Sequence, residues 1–248
     1  MDDSGPLTSS LDAAQVALAE EIGRNGYVVV PGAEMVRLLS GAARAAWPAY
    51  AASWDDLGDD NYMADGGRYR SRRHAVFELT TDAAMRKPHQ PHYQSRDYNR
   101  LNGGVQRWFE PVLPAAAESA VTGDLLALCG SVFGRLETPP RASRHVEMHQ
   151  FRIEPAADGE GQPTPEGVHR DGVEWVLVML VGRRNVERGV TTVHAPDGRG
   201  LGAFTLQQPL DAVLLDDRRV AHGVTPISRI DPTQPGCRDV LVLTFDKP

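Results

Sequence analysis

The chain has 248 residues, 41% of them apolar, which suffices for one large domain with a sizeable core. Its net charge of −7 argues against a nucleic-acid partner, which would select a basic surface. No apolar run approaches the roughly 20 residues of a membrane-spanning helix, so the expectation is a cytoplasmic protein without membrane contact. The acidic start, Met1 to Pro6, has no apolar core of the kind a secretory leader needs. Cys129 and Cys237 form no C-x-x-C pair and read as reduced thiols.

In chain order, Ser10 is expected to cap a helix carrying Leu11, Ala14, Leu18 and Ile22 on one face. Tyr27 to Val30 reads as a short buried strand stopped by Pro31-Gly32. Val36, Leu39, Ala43 and Trp47 predict a second helix, and the polar stretch from Trp54 to Gly67 predicts a loop. Tyr69 to Leu79 can form a strand. Residues 86–104, rich in Pro, His, Asn and Gly, read as an ordered loop, with His92, Tyr93 and Asn99 as lid candidates. A third helical stretch runs from Pro114 to Phe133.

From about residue 141 the texture changes to short apolar strands separated by turns: His145–Ile153, Trp175–Val181, Val190–His194, Ala212–Leu215 and Val240–Phe245. Helices before strands give a mainly β, α+β chain. It is expected to be a single domain over residues 1–248, with a helical part to about 140 packed outside a β-barrel core.

The segment Val168-His169-Arg170-Asp171-Gly172 carries the sharpest chemistry. In an extended segment His169 and Asp171 point the same way, roughly 7 Å apart, with Arg170 turned away. His222, in Val220-Ala221-His222-Gly223-Val224, supplies a third donor. Two imidazoles and one carboxylate leave open positions on ferrous iron, the arrangement that oxygenases use. A dicarboxylate cosubstrate such as 2-oxoglutarate also needs a cation, and arginine binds carboxylate through two parallel bonds. Arg238, opening the last strand, is the first choice, and Arg229 is the competitor. Gln150 and Arg152 share a strand face and are expected to line the barrel, Gln150 beside the cosubstrate. Arg72 and Arg73, near His74, are candidates for a substrate carboxylate, and Trp175 for a pocket wall. His145, Glu147 and His149 alternate on one strand and form a rival, cupin-like metal set.

Several stretches together resemble a known family: Gln150-Phe151-Arg152-Ile153, Pro165 to Gly172, Arg184-Asn185-Val186, Leu215 to Ile227 and Arg238-Asp239-Val240-Leu241. These are similar to the bacterial 2-oxoglutarate/iron(II) dioxygenases that hydroxylate free amino acids, the group of L-isoleucine 4-hydroxylase. Weaker similarity reaches Arg68-Tyr69-Arg70 and Asn102-Gly103-Gly104, so the resemblance covers about residues 65–246. It implies a double-stranded β-helix, a jelly-roll barrel with helices outside, and Fe(II), 2-oxoglutarate and O₂ as reactants. It also implies His169, Asp171 and His222 as iron ligands, Arg238 on 2-oxoglutarate and a small amino acid or derivative as substrate. One departure stands out, Arg188-Gly189-Val190 where the family tends to carry Gly-Gly-Glu. Asp171 argues against a halogenase, which needs a small residue there to admit chloride. Ring closure to a cyclopropane or desaturation would use the same triad as hydroxylation. The alternatives in other classes are a non-enzymatic barrel and a cupin that binds another metal. A homodimer is compatible with the sequence.

Overall fold

The computed structural model describes residues 6–63, 66, 68–99 and 101–248. The acidic start at 1–5 and part of the loop expected over 54–67 therefore lie outside the described residues.

Five helices lie in the first part of the chain: α1 (Pro6–Asn25), α2 (Gly32–Leu38), α3 (Gly41–Ala52), α4 (Pro114–Ala117) and α5 (Ala120–Gly134). The second and third predicted helices are each divided in two. Serines make the divisions: Ser40 Oγ accepts from Ala43 N and Ser119 Oγ from Val121 N, so each serine starts a new helix. Helix α1 begins earlier than expected, at Pro6, because proline suits a first helical turn whose N–H would lack a partner. Ser10 is therefore inside the helix and not its cap.

Strands before residue 141 are β1 (Tyr27–Val30), β2 (Gly58–Asp59), β3 (Arg70–Thr80), β4 (Ala84–Arg86), β5 (His92–Tyr93) and β6 (Gln106–Arg107). After it come β7 (Ser143–Ile153), β8 (Trp175–Arg184), β9 (Val186–Arg188), β10 (Thr191–His194) and β11 (Gly200–Phe204). The last four are β12 (Ala212–Asp216), β13 (Ala221–Val224), β14 (Ile227–Arg229) and β15 (Cys237–Asp246).

The major sheet has the order β1-β12-β8-β15-β7-β3-β2, antiparallel throughout, with β4 added beside β3. The barrel is thus not confined to the residues after 141: β1 pairs with β12 and the long β3 with β7. A smaller sheet, β11-β10-β13, faces it, and a bridge between His169 and His222 extends that sheet by one segment. Two facing antiparallel sheets of this kind form a double-stranded β-helix, the architecture that the resemblance implied.

Strand alternation divides the molecule into two interiors. One face of the major sheet gives Val146, Met148, Trp175, Leu177, Met179, Leu241, Leu243 and Phe245 to a core shared with the helices, where Ile22, Leu125, Val132 and Phe133 are buried. Phe133 stacks on Trp175 with ring centroids 5.1 Å apart. The other face turns toward the smaller sheet, with Val176, Val213 and Leu215 packing on Val193 and Val220. Both faces are covered, so β8 and β15 read as nearly continuous apolar runs. Cys129 and Cys237 are buried and free.

Candidate metal and cosubstrate site

Between the sheets lies a cavity of about 440 Å³, within the roughly 300–1,000 Å³ typical of small-molecule sites. His169, Asp171, His222 and Arg238 all line it. His169 and His222 exchange backbone hydrogen bonds, His169 N to His222 O at 2.9 Å and His222 N to His169 O at 2.8 Å. Their rings therefore lie side by side, centroids 4.8 Å apart. The two strands approach closely at Gly223, where a Cβ would lie 3.1 Å from Gly167 O and Val168 Cα. Asp171 follows two residues after His169, with carboxylate oxygens 3.6 Å from His169 Nε2 and 3.8 Å from His222 Nε2. One donor atom from each residue falls within 4.8 Å of the others.

The local chemistry of these donors fits a divalent metal. His169 Nδ1 sits 3.0 Å from Gly167 O, so it carries a ring proton, and in the neutral ring the lone pair that a metal needs is on Nε2. His222 is buried and its Nδ1 has no partner among the described residues. Burial opposes charge on His169, but Asp171 and then Glu166 raise it to about 9. Burial, with His169 adding to it against Asp171, pushes His222 down to about 4. Burial would raise the Asp171 carboxyl, yet the two imidazoles hold it below the usual carboxylate range. The metal-free triad is thus an ion pair beside a neutral imidazole.

The turn that aims Asp171 is fixed by residues that the sequence did not single out. The fully buried Asp217 carboxylate accepts from Asp171 N at 2.9 Å, Gly172 N at 2.8 Å and Val173 N at 3.2 Å. Gln94 Nε2 donates to Asp171 O at 2.9 Å. Gly172 adopts φ of 84°, and a Cβ there would strike the Tyr98 ring. The lid candidates His92, Tyr93 and Asn99 do line the cavity, and Asn99 Nδ2 donates to Gln94 Oε1. This loop therefore buttresses the Asp171 segment. The clue available in the sequence was Asp217 itself, an acidic residue directly after an apolar strand.

Arg238 is 1% exposed, and its Nε and Nη2 have no partner among the described residues. Burial, together with the charge of Arg183 and against that of Asp239, lowers it to about 10, so it stays a cation at neutral pH. An unpaired cation at the wall of a cavity fits a ligand carboxylate. Arg229 lies elsewhere, its Nε donating to Pro155 O at 2.8 Å.

Strand parity corrects the placement of four candidates. On β7 the odd residues, His145 to Ile153, face the cavity, and the even ones face the helices. Gln150 donates to Ser53 Oγ, and Arg152 pairs with Asp239 and Asp55, so neither reaches the cavity. On β3, Arg72 lines the cavity, whereas Arg73 points away to Asp56 and Pro111. Trp175 belongs to the helix-side core. The departure at Arg188 also stays outside: its side chain pairs with Glu160, and its backbone takes φ of 62°, a conformation glycine adopts more easily.

The rival set on β7 is a different object. Glu147 is surrounded by four imidazoles, Oε2 lying 2.5 Å from His92 Nδ1 and 3.2 Å from His74 Nε2 and His149 Nε2, and Oε1 3.4 Å from His145 Nε2. Arg72 Nη2 lies 2.8 Å from His149 Nδ1. Arginine only donates, so Nδ1 accepts and Nε2 bears the proton toward Glu147. A protonated nitrogen cannot ligate, and the Arg72 cation disfavours a second one. We read the set as a carboxylate hub held by hydrogen bonds. Burial lowers His74, His149 and His92, the last to about 4. These imidazoles stay neutral when folded but take up protons on unfolding at acid pH. Their stabilisation is complete above about 6.5 and is lost as pH falls toward 4. The unfolding temperature should therefore drop between pH 7 and 5, and drop less in a His92→Gln variant. An equal drop in both proteins would contradict the assignment.

A double-stranded β-helix with two histidines, one carboxylate and an unpaired arginine around one cavity has the makings of a non-haem metal oxygenase. The chain belongs to the 2OG-Fe dioxygenase family, whose sequence model matches residues 51–244. It is accordingly a 2-oxoglutarate-dependent Fe(II) dioxygenase, an oxidoreductase. It is similar to the 3(1)-hydroxy-L-isoleucine 4-dioxygenase of Pantoea ananatis, 23% identical over 242 residues that make up 92% of this chain and 95% of that protein. It also matches the bifunctional enzyme flvA of Aspergillus flavus at 26% over 173 residues, 61% of this chain but only 21% of that longer protein. Among solved structures, a bsmA homolog from Methylobium petroleophilum PM1 superposes with a TM-score of 0.84 at 36% identity, covering 94% of this chain and 93% of that one.

Proposed function

We propose that this enzyme oxidises an unactivated C–H bond of a free amino acid or amino-acid derivative, by hydroxylation, with His169, Asp171 and His222 holding the iron and Arg238 the far carboxylate of 2-oxoglutarate. The observation that carries the reading is the convergence of three potential metal donors and the buried guanidinium of Arg238 on a single cavity. The amino-acid substrate rests on the similarity to the Pantoea enzyme, whose name states an isoleucine derivative.

When bound, ferrous iron and 2-oxoglutarate supply the oxidising power, with O₂ consumed and succinate and CO₂ released. The protein supplies placement. Gly167 O keeps the proton of His169 on Nδ1, and Asp217 and Gln94 hold the turn that presents Asp171. Phe151, Val178, Val240 and Val242 give the cavity an apolar wall that excludes water and can pack a hydrocarbon side chain.

The test is succinate release with Fe(II), 2-oxoglutarate and air, with each of the twenty amino acids and several nonstandard ones in separate wells. A sharp rise in one well, with a product that has gained one oxygen atom, is the expected result. A product that has lost two hydrogens would replace hydroxylation by ring closure or desaturation. No succinate in any well would contradict the amino-acid reading.

A further inference from the structure

The cavity wall carries four arginines, and they divide into two kinds. Arg70 and Arg72 share the buried Asp60, at 2.8 and 3.6 Å. Arg238 and Arg107 have no carboxylate within ion-pair distance among the described residues. Arg238 is taken by the cosubstrate in the reading above, which leaves Arg107 unexplained. It is 2% exposed; among the described residues its Nε has no partner, its one side-chain hydrogen bond is a long one, Nη2 to the neutral Gln94 Oε1 at 3.4 Å, and its guanidinium carbon lies 5.8 Å from the centre of the Phe109 ring. That oxygen already accepts from Asn99 at 2.9 Å. A buried cation left in this state destabilises a fold and is retained where a ligand completes it.

The location of Arg107 suits a ligand at the reacting end. Strand β6 pairs with β5 so that Arg107 lies directly opposite His92. Gln94, which Arg107 touches, also donates to the backbone carbonyl of Asp171. One glutamine thus connects the guanidinium to a metal-donor segment. Glu147, the nearby carboxylate hub, is engaged by imidazoles and makes no ion pair with Arg107.

We propose that Arg107 is the anchor for the carboxylate of the primary substrate, so that the cavity accepts two carboxylates at once, 2-oxoglutarate on Arg238 and the substrate on Arg107. The inference rests on the function proposed above and adds to it a requirement: the substrate presents a free carboxylate, and the corresponding amide is rejected. The planar guanidinium matches a carboxylate through two parallel bonds, which an amide cannot accept in full.

The test uses the full chain loaded with Fe(II) and 2-oxoglutarate, and as probes the amino acid that evokes most succinate from the wild type and its primary amide. Arg107→Met should raise KM for the acid by about 30-fold or more and abolish the preference for acid over amide. KM for 2-oxoglutarate should stay within about twofold, and Arg107→Lys should restore part of the loss, since charge returns without the fork. A variant that keeps the acid-over-amide preference, or loses 2-oxoglutarate equally, overturns the proposal. If no amino acid evokes succinate from the wild type, the amino-acid reading fails and unfolding temperature judges Arg107 separately. An unchanged or higher value for Arg107→Met supports an arginine held for a ligand, and a lowered value assigns it to the fold and overturns the anchor.

Discussion

Replacing His222 by alanine is expected to abolish 2-oxoglutarate turnover while leaving the protein folded. Even residues that merely orient a metal ligand carry about 10- to 100-fold in affinity or activity, and a donor itself exceeds that. The fold should tolerate the change because His222 contributes to it through its backbone: N and O pair with His169, and the strand pairs with β10. Those bonds survive in alanine. The imidazole Nδ1 has no partner among the described residues, and Asp171, 3.8 Å from Nε2, keeps His169 and its backbone support from Asp217. The unfolding temperature of the metal-free variant should stay within about 4 °C of the wild type, corresponding to roughly 1 kcal/mol in a chain of this size. Turnover within about tenfold of the wild type would remove His222 from the metal site.

Replacing Arg238 by methionine should separate cosubstrate from metal. Removing one partner of a buried, hydrogen-bonded charge pair costs about 2–5 kcal/mol, which converts to a loss of 2-oxoglutarate affinity between about 30-fold and several thousand-fold. Metal binding should persist, because Arg238 makes no ion pair with the triad among the described residues. Stability should hold or improve: Nε and Nη2 are unpartnered, so an apolar chain of similar length removes a buried charge without stranding an acceptor. Titration of 2-oxoglutarate into the metal-loaded variant measures the first effect, and unfolding of the metal-free protein the second. Unimpaired 2-oxoglutarate binding would return the cosubstrate to another cation.

The positions of these residues show what a linear reading could and could not reach. The meeting of His169, Asp171 and His222 in one cluster was legible because two imidazoles and a carboxylate at this spacing are a chemically rare combination. Arg238 was legible as a cation close in sequence to the triad. Gln150, Arg152, Arg73 and Trp175 were misplaced for one shared reason. A period of two tells which residues share a strand face but not which face encloses the cavity, and here the helices bury the opposite face just as thoroughly. Arg72 and Arg73, adjacent in sequence, necessarily part company. The rival set of His145, Glu147 and His149 was correctly read as sharing a face, yet its chemistry is decided by Arg72, which arrives from β3 and fixes the tautomer of His149. Gln94 and Arg107 act through contacts made across the fold, and no local pattern marks them; Asp217 offers only its place directly after an apolar strand. Strands β1 and β3 were legible as strands, but their membership in the major sheet depends on pairing with β12 and β7 far along the chain.

The most direct test of the central claim is anaerobic equilibrium dialysis of Fe(II) and 2-oxoglutarate against the wild type and the His222→Ala and Arg238→Met variants. The structure predicts one metal ion and one 2-oxoglutarate per wild-type chain, loss of the metal in His222→Ala, and retention of metal with loss of 2-oxoglutarate in Arg238→Met. A full equivalent of metal retained by His222→Ala would place the metal on the Glu147 hub instead, and 2-oxoglutarate binding unchanged in both variants would contradict the site altogether.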